Sequence, residues 1–204
     1  MGRVSDAKEK LLEAMLELIW TGSYGGTTID HICDKAGVKR GSFYYFFESK
    51  TDLAIASLDA LSQKKRAELD AVFSPTVPPL ERLRNFCEGS YRKQVQMQEK
   101  YGRVLGCPHF SLGAEVCMEE QKLRLKIQEI LERFARYFET AIRDAHSAGL
   151  IKAPDAAAKA RMLRAYFEGL MTQARIQNDV EVLREMPDGM FAILGVQEKE
   201  TVAA

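Results

Sequence analysis

The stretch TTIDHICDKAGVKRGSFYYFFESKTDL, residues 27–53, packs two short helical patterns around one glycine and then presents paired tyrosines beside lysine and arginine. Thr27 stands where a hydroxyl can cap a helix, and Asp30, three residues on, puts negative charge at the positive end of the helix dipole. Ile29, Ile32, Cys33 and Ala36 fall on one side of that helix. Gly37 supplies a sharp turn and Val38 plugs the gap between the helices. Phe43 with Phe47 then repeats the i, i+4 spacing that buries the next helix. With both rings inward, a helix over 39–47 turns Gly41, Ser42, Tyr44 and Tyr45 outward and leaves Arg40 at its edge.

Such a face suits the second helix of a helix-turn-helix, whose N-terminal part offers side chains to base edges and phosphates in a DNA major groove. Arg40 can reach guanine, Ser42 and Tyr44 can bond a phosphate or a base edge, and Lys50 can meet a phosphate from the start of the following helix. The same spacing also builds an ordinary corner between two core helices. Two adjacent exposed tyrosines between basic residues favour the reading face, because a structural corner has no need of them.

Around this stretch the chain reads as all-α. Apolar residues recur at helical spacing almost throughout its 204 residues, and strand-type alternation is hard to find. A first helix over about 5–20 carries Leu11, Leu12, Met15, Leu18 and Ile19 and ends at TGSYGG. Ser49 caps a fourth helix over 50–72, and SPTVPP then forbids helix. Further helices are expected at about 80–99, 109–118, 120–148, 155–178 and 180–194, with a frayed tail QEKETVAA.

Composition bounds the function. A hydrophobic share of 46% with 28% charged residues is that of a globular protein, no apolar run approaches a membrane span, and the charged N-terminus MGRVSDAKEK lacks a secretory signal's apolar core. A cytoplasmic protein without membrane association is expected. Cys33, Cys87, Cys107 and Cys117 form no C-x-x-C pair and no zinc spacing, so neither a disulfide framework nor a metal site is expected. No phosphate-cradling loop, H-E-x-x-H or nucleophile motif is present, so no catalytic residue, enzyme activity or cofactor is expected. Lys plus Arg balance Asp plus Glu at 29 each, and residues 1–50 hold seven of each sign, so DNA binding must rest on local placement.

The N-terminal motifs resemble those of the tetracycline-repressor (TetR) family of transcriptional regulators. The family's "TT" start, "AGV" turn, basic-Gly-Ser recognition start, "YY-x-F" core and "SK-x-x-L" appear as Thr27-Thr28, Ala36-Gly37-Val38, Arg40-Gly41-Ser42, Tyr44-Tyr45-Phe46-Phe47 and Ser49-Lys50 with Leu53. The match spans roughly 8–55. It departs at Phe46, where the family usually has a phosphate-contacting His, and at Lys39, where a polar residue usually starts the recognition helix.

The resemblance implies an N-terminal three-helix helix-turn-helix DNA-binding domain over 1–50 and a helical ligand-binding and dimerisation domain over 51–198. It implies DNA contacts by Thr28, Arg40, Ser42, Tyr44, Tyr45 and Lys50, with Lys39 as a gained contact. For Tyr45, packing under the helix with only its hydroxyl at the surface is the competing placement. The partners implied are a double-stranded DNA operator, a small-molecule effector and a second copy of the chain.

The C-terminal part supports this independently in one respect. DAAAKARMLRAYFEGLMTQARIQ and VEVLREMPDGMFAILGV carry apolar residues over more than one face, as a homodimer through a four-helix bundle requires, although internal core would use them too. Candidate effector-lining residues are Phe86, Tyr91, Cys107, His109, Phe110, Phe134, Tyr137, Phe138, Tyr166 and Met171, with Arg175 or His109 as polar anchor. Aromatics at this spacing also build plain core.

LGCPHFSLGAEVC, residues 105–117, resembles a motif in a branch of the family in which some members sense electrophiles or oxidants. Cys107, at a helix N-terminus and two residues before His109, has two features that would lower a thiol pKa. A small buried cysteine beside a core histidine fits the same sequence. The functional expectation is a ligand-responsive repressor released from its operator by a small molecule or by modification of Cys107. The alternative is a helical small-molecule carrier without DNA binding.

Overall fold

A computed structural model describes residues 2–116 and 120–196, with side chains from Asp6 onward. Cys117, the end of the helix expected over 109–118 and the tail from 197 lie outside the described residues. Nine α-helices and one 3-10 turn make up the described residues, with no strand among them. They are α1 Gly2–Thr21, α2 Ile29–Ala36, α3 Arg40–Phe46, α4 Lys50–Val72, α5 Pro79–Tyr101, α6 Pro108–Val116, α7 Gln121–Ser147, α8 Ala156–Gln177, a 3-10 turn Val180–Glu185 and α9 Met186–Leu194.

Two expectations are corrected. Thr28, not Thr27, caps α2: its Oγ1 accepts from the His31 N–H at 3.1 Å while His31 Nδ1 reaches back to the Thr28 N–H, a reciprocal capping box. Thr27 is buried, and its hydroxyl donates to the Ser23 carbonyl at 2.6 Å. The segment expected as one helix over 180–194 divides at Met186, because Pro187 in the first turn of α9 has no N–H to continue an upstream helix.

The chain forms two compact units. The first holds the residues through Glu68 together with Cys107–Glu132, and the second holds Leu69–Gly106 with the residues from Arg133 onward. In the first, Leu11, Met15, Ile32, Phe43, Leu53 and Leu58 from α1 to α4 share a core with Leu112 and Val116 of α6 and Leu123 and Ile127 of α7. In the second, Phe73, Phe86, Phe134, Tyr137, Phe138 and Phe167 form a continuous ring cluster with centroids 5.1–6.3 Å apart. Arg82, almost fully buried, braces the proline-rich loop before α5 by donating to the Val77 and Pro75 carbonyls and to Asp144.

The turn between α2 and α3 depends on Gly37, whose φ of 64° lies in the left-handed region. Its N–H donates to the Asp34 carbonyl at 3.2 Å and the Val38 N–H to the Cys33 carbonyl at 3.0 Å, closing the end of α2. A Cβ at this position would meet nothing within 4 Å, so the conformation alone selects glycine. Gly37→Ala is therefore expected to cost about 1 kcal/mol through backbone strain. The check is a lowered urea midpoint at unchanged slope; an unchanged midpoint would mean that the turn relaxes freely.

Candidate nucleic-acid interface

α3 is seven residues long, too short to persist alone, and is fixed by what it buries. Phe43 is fully buried and Phe47, just past the helix end, is nearly so. The opposite face follows from that anchoring: Tyr44 is 51% and Tyr45 74% exposed. Lys39 and Gly41 are exposed beside them, and Ser42 is half-buried. Tyr44 leans edge-on against Phe43 with centroids 5.2 Å apart, and Tyr45 against Phe46 at 4.8 Å. Phe46 thus supports an exposed ring.

Arg40 is held from two sides. Its Nη1 donates to both Asp30 carboxylate oxygens, at 2.9 and 3.0 Å, and its Nη2 to the Tyr44 hydroxyl at 3.4 Å. Asp30, read from sequence only as a helix-dipole charge, is therefore also the partner of Arg40. Both groups are exposed, so this pair is easily exchanged for another anion.

Lys50 is turned onto the loop between α1 and α2. Its ammonium donates to the Tyr24 and Thr27 carbonyls, both at 2.9 Å, and lies 4.1 Å from the Tyr24 ring centroid. Three further groups hold the same loop. Glu115 of α6 accepts from the Tyr24 N–H at 3.0 Å and the Gly25 N–H at 2.7 Å. The buried Tyr24 hydroxyl lies 3.0 Å from Thr51 Oγ1 and 3.4 Å from Glu120, and Thr51 donates to Glu120 at 3.1 Å. Burial is the main force pushing the Tyr24 phenol pKa up. Sequence reasoning gave neither Glu115, the Glu of the 105–117 motif, nor Glu120 a role at this loop, because Tyr24 lies more than ninety residues from both along the chain.

The candidate effector residues divide between the units. Phe86, Phe134, Tyr137, Phe138, Tyr166, Met171 and Arg175 belong to the second, while Cys107, His109 and Phe110 belong to the first. Phe86, Phe134, Tyr137 and Phe138 join the ring cluster, to which Phe73 and Phe167 must be added. Tyr137 also donates to Asp70, Tyr91 donates to Glu181 at 2.9 Å, and Tyr166 donates to the Glu185 carbonyl at 3.2 Å. Phe110 is 41% exposed.

Cys107 is half-exposed at the start of α6, whereas Cys33 and Cys87 are buried. Burial raises both buried thiols, that of Cys87 to about 12. His109 is buried, its Nε2 has no hydrogen-bond partner, and burial, aided by the Lys65 charge, pushes its pKa down to about 3. It is neutral at physiological pH, so it lends Cys107 no positive charge. Among the described residues no group of His, Cys, Asp and Glu is gathered for a metal, and no helix is long and apolar enough to cross a membrane.

An exposed recognition face on a helix turned off α2 by a left-handed glycine, with a helical region following, defines a helix-turn-helix DNA-binding protein. Residues 11–56 match the family described as "Bacterial regulatory proteins, tetR family", and residues 79–190 match "Tetracyclin repressor-like, C-terminal domain". The chain belongs to the TetR family of transcriptional regulators. It is 29% identical over 175 residues to the transcriptional regulator AcuR of Cereibacter sphaeroides, covering 84% of this chain and 77% of that protein. It is 25% identical over 191 residues to the transcriptional repressor DhaR of a Mycobacterium sp. (strain GP1), covering 92% and 91%. The crystal structure of regulatory protein TetR from Rhodobacter sphaeroides superposes with a TM-score of 0.81 at 26% identity, over 92% of this chain and 98% of that one.

The state of His109 sets a pH dependence. The unfolded chain takes up a proton near the ordinary histidine value of about 6.5 while the folded chain resists it, so the unfolded state binds more protons below that point. Stability from this site is complete above about pH 6.5 and is lost as pH falls, by about 1.4 kcal/mol per pH unit. Comparing urea midpoints between about pH 7 and pH 5, wild type should fall more steeply than His109→Leu; parallel profiles would show that His109 is protonated in the folded state.

Proposed function

We propose that the protein is a repressor that acts as a homodimer on a roughly palindromic operator and is released by a small apolar or aromatic molecule. The observation that carries the reading is the outward face of α3, where Arg40, Tyr44 and Tyr45 stand exposed over the buried Phe43. Arg40 trades the Asp30 carboxylate for a guanine edge, and Tyr44, Tyr45 and Ser42 bond base edges or phosphate. Thr28 and Lys39, exposed at the starts of α2 and α3, meet phosphates, as does the remaining N–H of Lys50.

Dimerisation is supported by α8. Met162, Ala165, Gly169, Thr172 and Ile176 repeat at three- and four-residue spacing and are all exposed, Ile176 by 78%. A Cβ on Gly169 would meet nothing, so the centre of the stripe is open to close approach by another helix. The effector site is assigned to the second unit around Phe86, Phe134 and Phe138, with Arg175 as the charged group. An effector releases DNA to the extent that it binds the DNA-incompetent conformer better. Cys107 is the accessible thiol among the described cysteines if release is covalent.

Fluorescence anisotropy with DNA from upstream of the protein's own gene, across a salt series, tests the reading. Tyr44→Ala should weaken specific binding by about tenfold or more. Lys39→Ala should reduce the salt slope by about one unit, and is a cleaner probe than Lys50, whose loss also frees the loop. Specific binding unaffected by Tyr44→Ala would overturn the assignment of α3. Light scattering should show a dimer for wild type and a monomer for Ile176→Glu; a dimer in both would move the interface off α8.

A further inference from the structure

We propose that Glu115 is a positioning residue for the DNA-reading head, coupling the placement of α6 directly to operator affinity. The inference rests on α3 being the DNA-contacting helix. The loop TGSYGG contains three glycines and precedes the Thr28 cap that starts α2; its own bonds, from the Gly26 N–H to Ser23 Oγ and from Thr27 to the Ser23 and Tyr24 carbonyls, leave the Tyr24 and Gly25 N–H groups to a partner outside it. Tyr24 is gripped at every polar group it has, its N–H by Glu115, its carbonyl by Lys50 and its hydroxyl by Thr51 and Glu120. Of these partners, Lys50 and Thr51 lie on α4, so they travel with the head. Glu115 is the one carried by α6, and each of its carboxylate oxygens takes one loop amide.

These are charge-assisted bonds to consecutive backbone N–H groups, which fix the loop's orientation more tightly than a side-chain contact would. α6 is a single short helix with Cys107 and the buried His109 at its start and Glu115 on its last turn. Displacing α6 therefore pulls the carboxylate away from the loop, and the start of α2 loses its hold. Gly113 offers an independent handle on that displacement. A Cβ there would sit 3.2 Å from Ile127 Cγ2 of α7, so a larger side chain pries α6 outward without altering the carboxylate.

Two measurements on the full-length protein decide the matter. In hydrogen exchange of the free protein, the peptide covering Tyr24 and Gly25 should exchange at least about fivefold faster in Glu115→Ala than in wild type. Operator affinity should fall about tenfold in Glu115→Ala. Glu115→Gln, which keeps an acceptor oxygen, should recover part of both. Gly113→Val should weaken binding in the wild-type background but add little to Glu115→Ala, because both remove the same contact. Unchanged exchange in Glu115→Ala overturns the clasp. Faster exchange with unchanged affinity, or full additivity with Gly113→Val, overturns the coupling. If Tyr44→Ala also leaves binding intact, it is the DNA-reading face that fails, and this proposal with it.

Discussion

Phe43 has no exposed surface, and the DNA-reading head is built around that fact. A seven-residue helix does not persist in water by its own hydrogen bonds, so α3 owes its existence and its rotation to the side chain it buries. Once Phe43 enters the core of Ile32, Leu53 and Leu58, Tyr44 and Tyr45 have no direction left but outward. The left-handed turn at Gly37 supplies the complementary constraint by fixing the angle at which α3 leaves α2.

Electrostatics in the head follow from a chain with no net charge to spend on attraction. Its cations are placed and mostly committed: Arg40 to Asp30 and Tyr44, Lys50 to two carbonyls. A committed cation is pre-oriented, and any other anion that it meets must displace the partner it already holds. Arg40 has an exposed and exchangeable partner, whereas the partners of Lys50 are structural. The two residues thus differ although both are basic and each opens a helix, Arg40 α3 and Lys50 α4.

The loop between α1 and α2 shows how a weakly self-ordered segment becomes precise through long-range contacts. Its glycines loosen it, its own bonds from Gly26 and Thr27 to Ser23 close it in part, and four side chains from α4, α6 and the segment before α7 hold the rest. On α6 the same helix that supplies Glu115 also carries His109, kept neutral by burial. An imidazole denied its proton has no charge to offer a thiolate at Cys107, which leaves the start of α6 as the sequence feature that can act on that thiol.

The sequence alone determined the helical class, the order and approximate ends of the helices, and the outward face of α3 that carries Arg40, Tyr44 and Tyr45. Those features depend on local periodicity, on proline and glycine, and on a rotation that two phenylalanines specify. The identity of the α2 cap shifted by one residue because Thr27 and Thr28 are chemically equal locally, and only the bond from Thr27 to Ser23 tells them apart. Tertiary structure decided the rest. It paired Asp30 with Arg40, turned Lys50 inward, gathered Phe73 and Phe167 with the expected rings, and brought Glu115 to a loop ninety residues earlier in the chain. Each of these is a contact between segments whose approach is set by core packing, and no spacing along the chain records which surfaces that packing brings together.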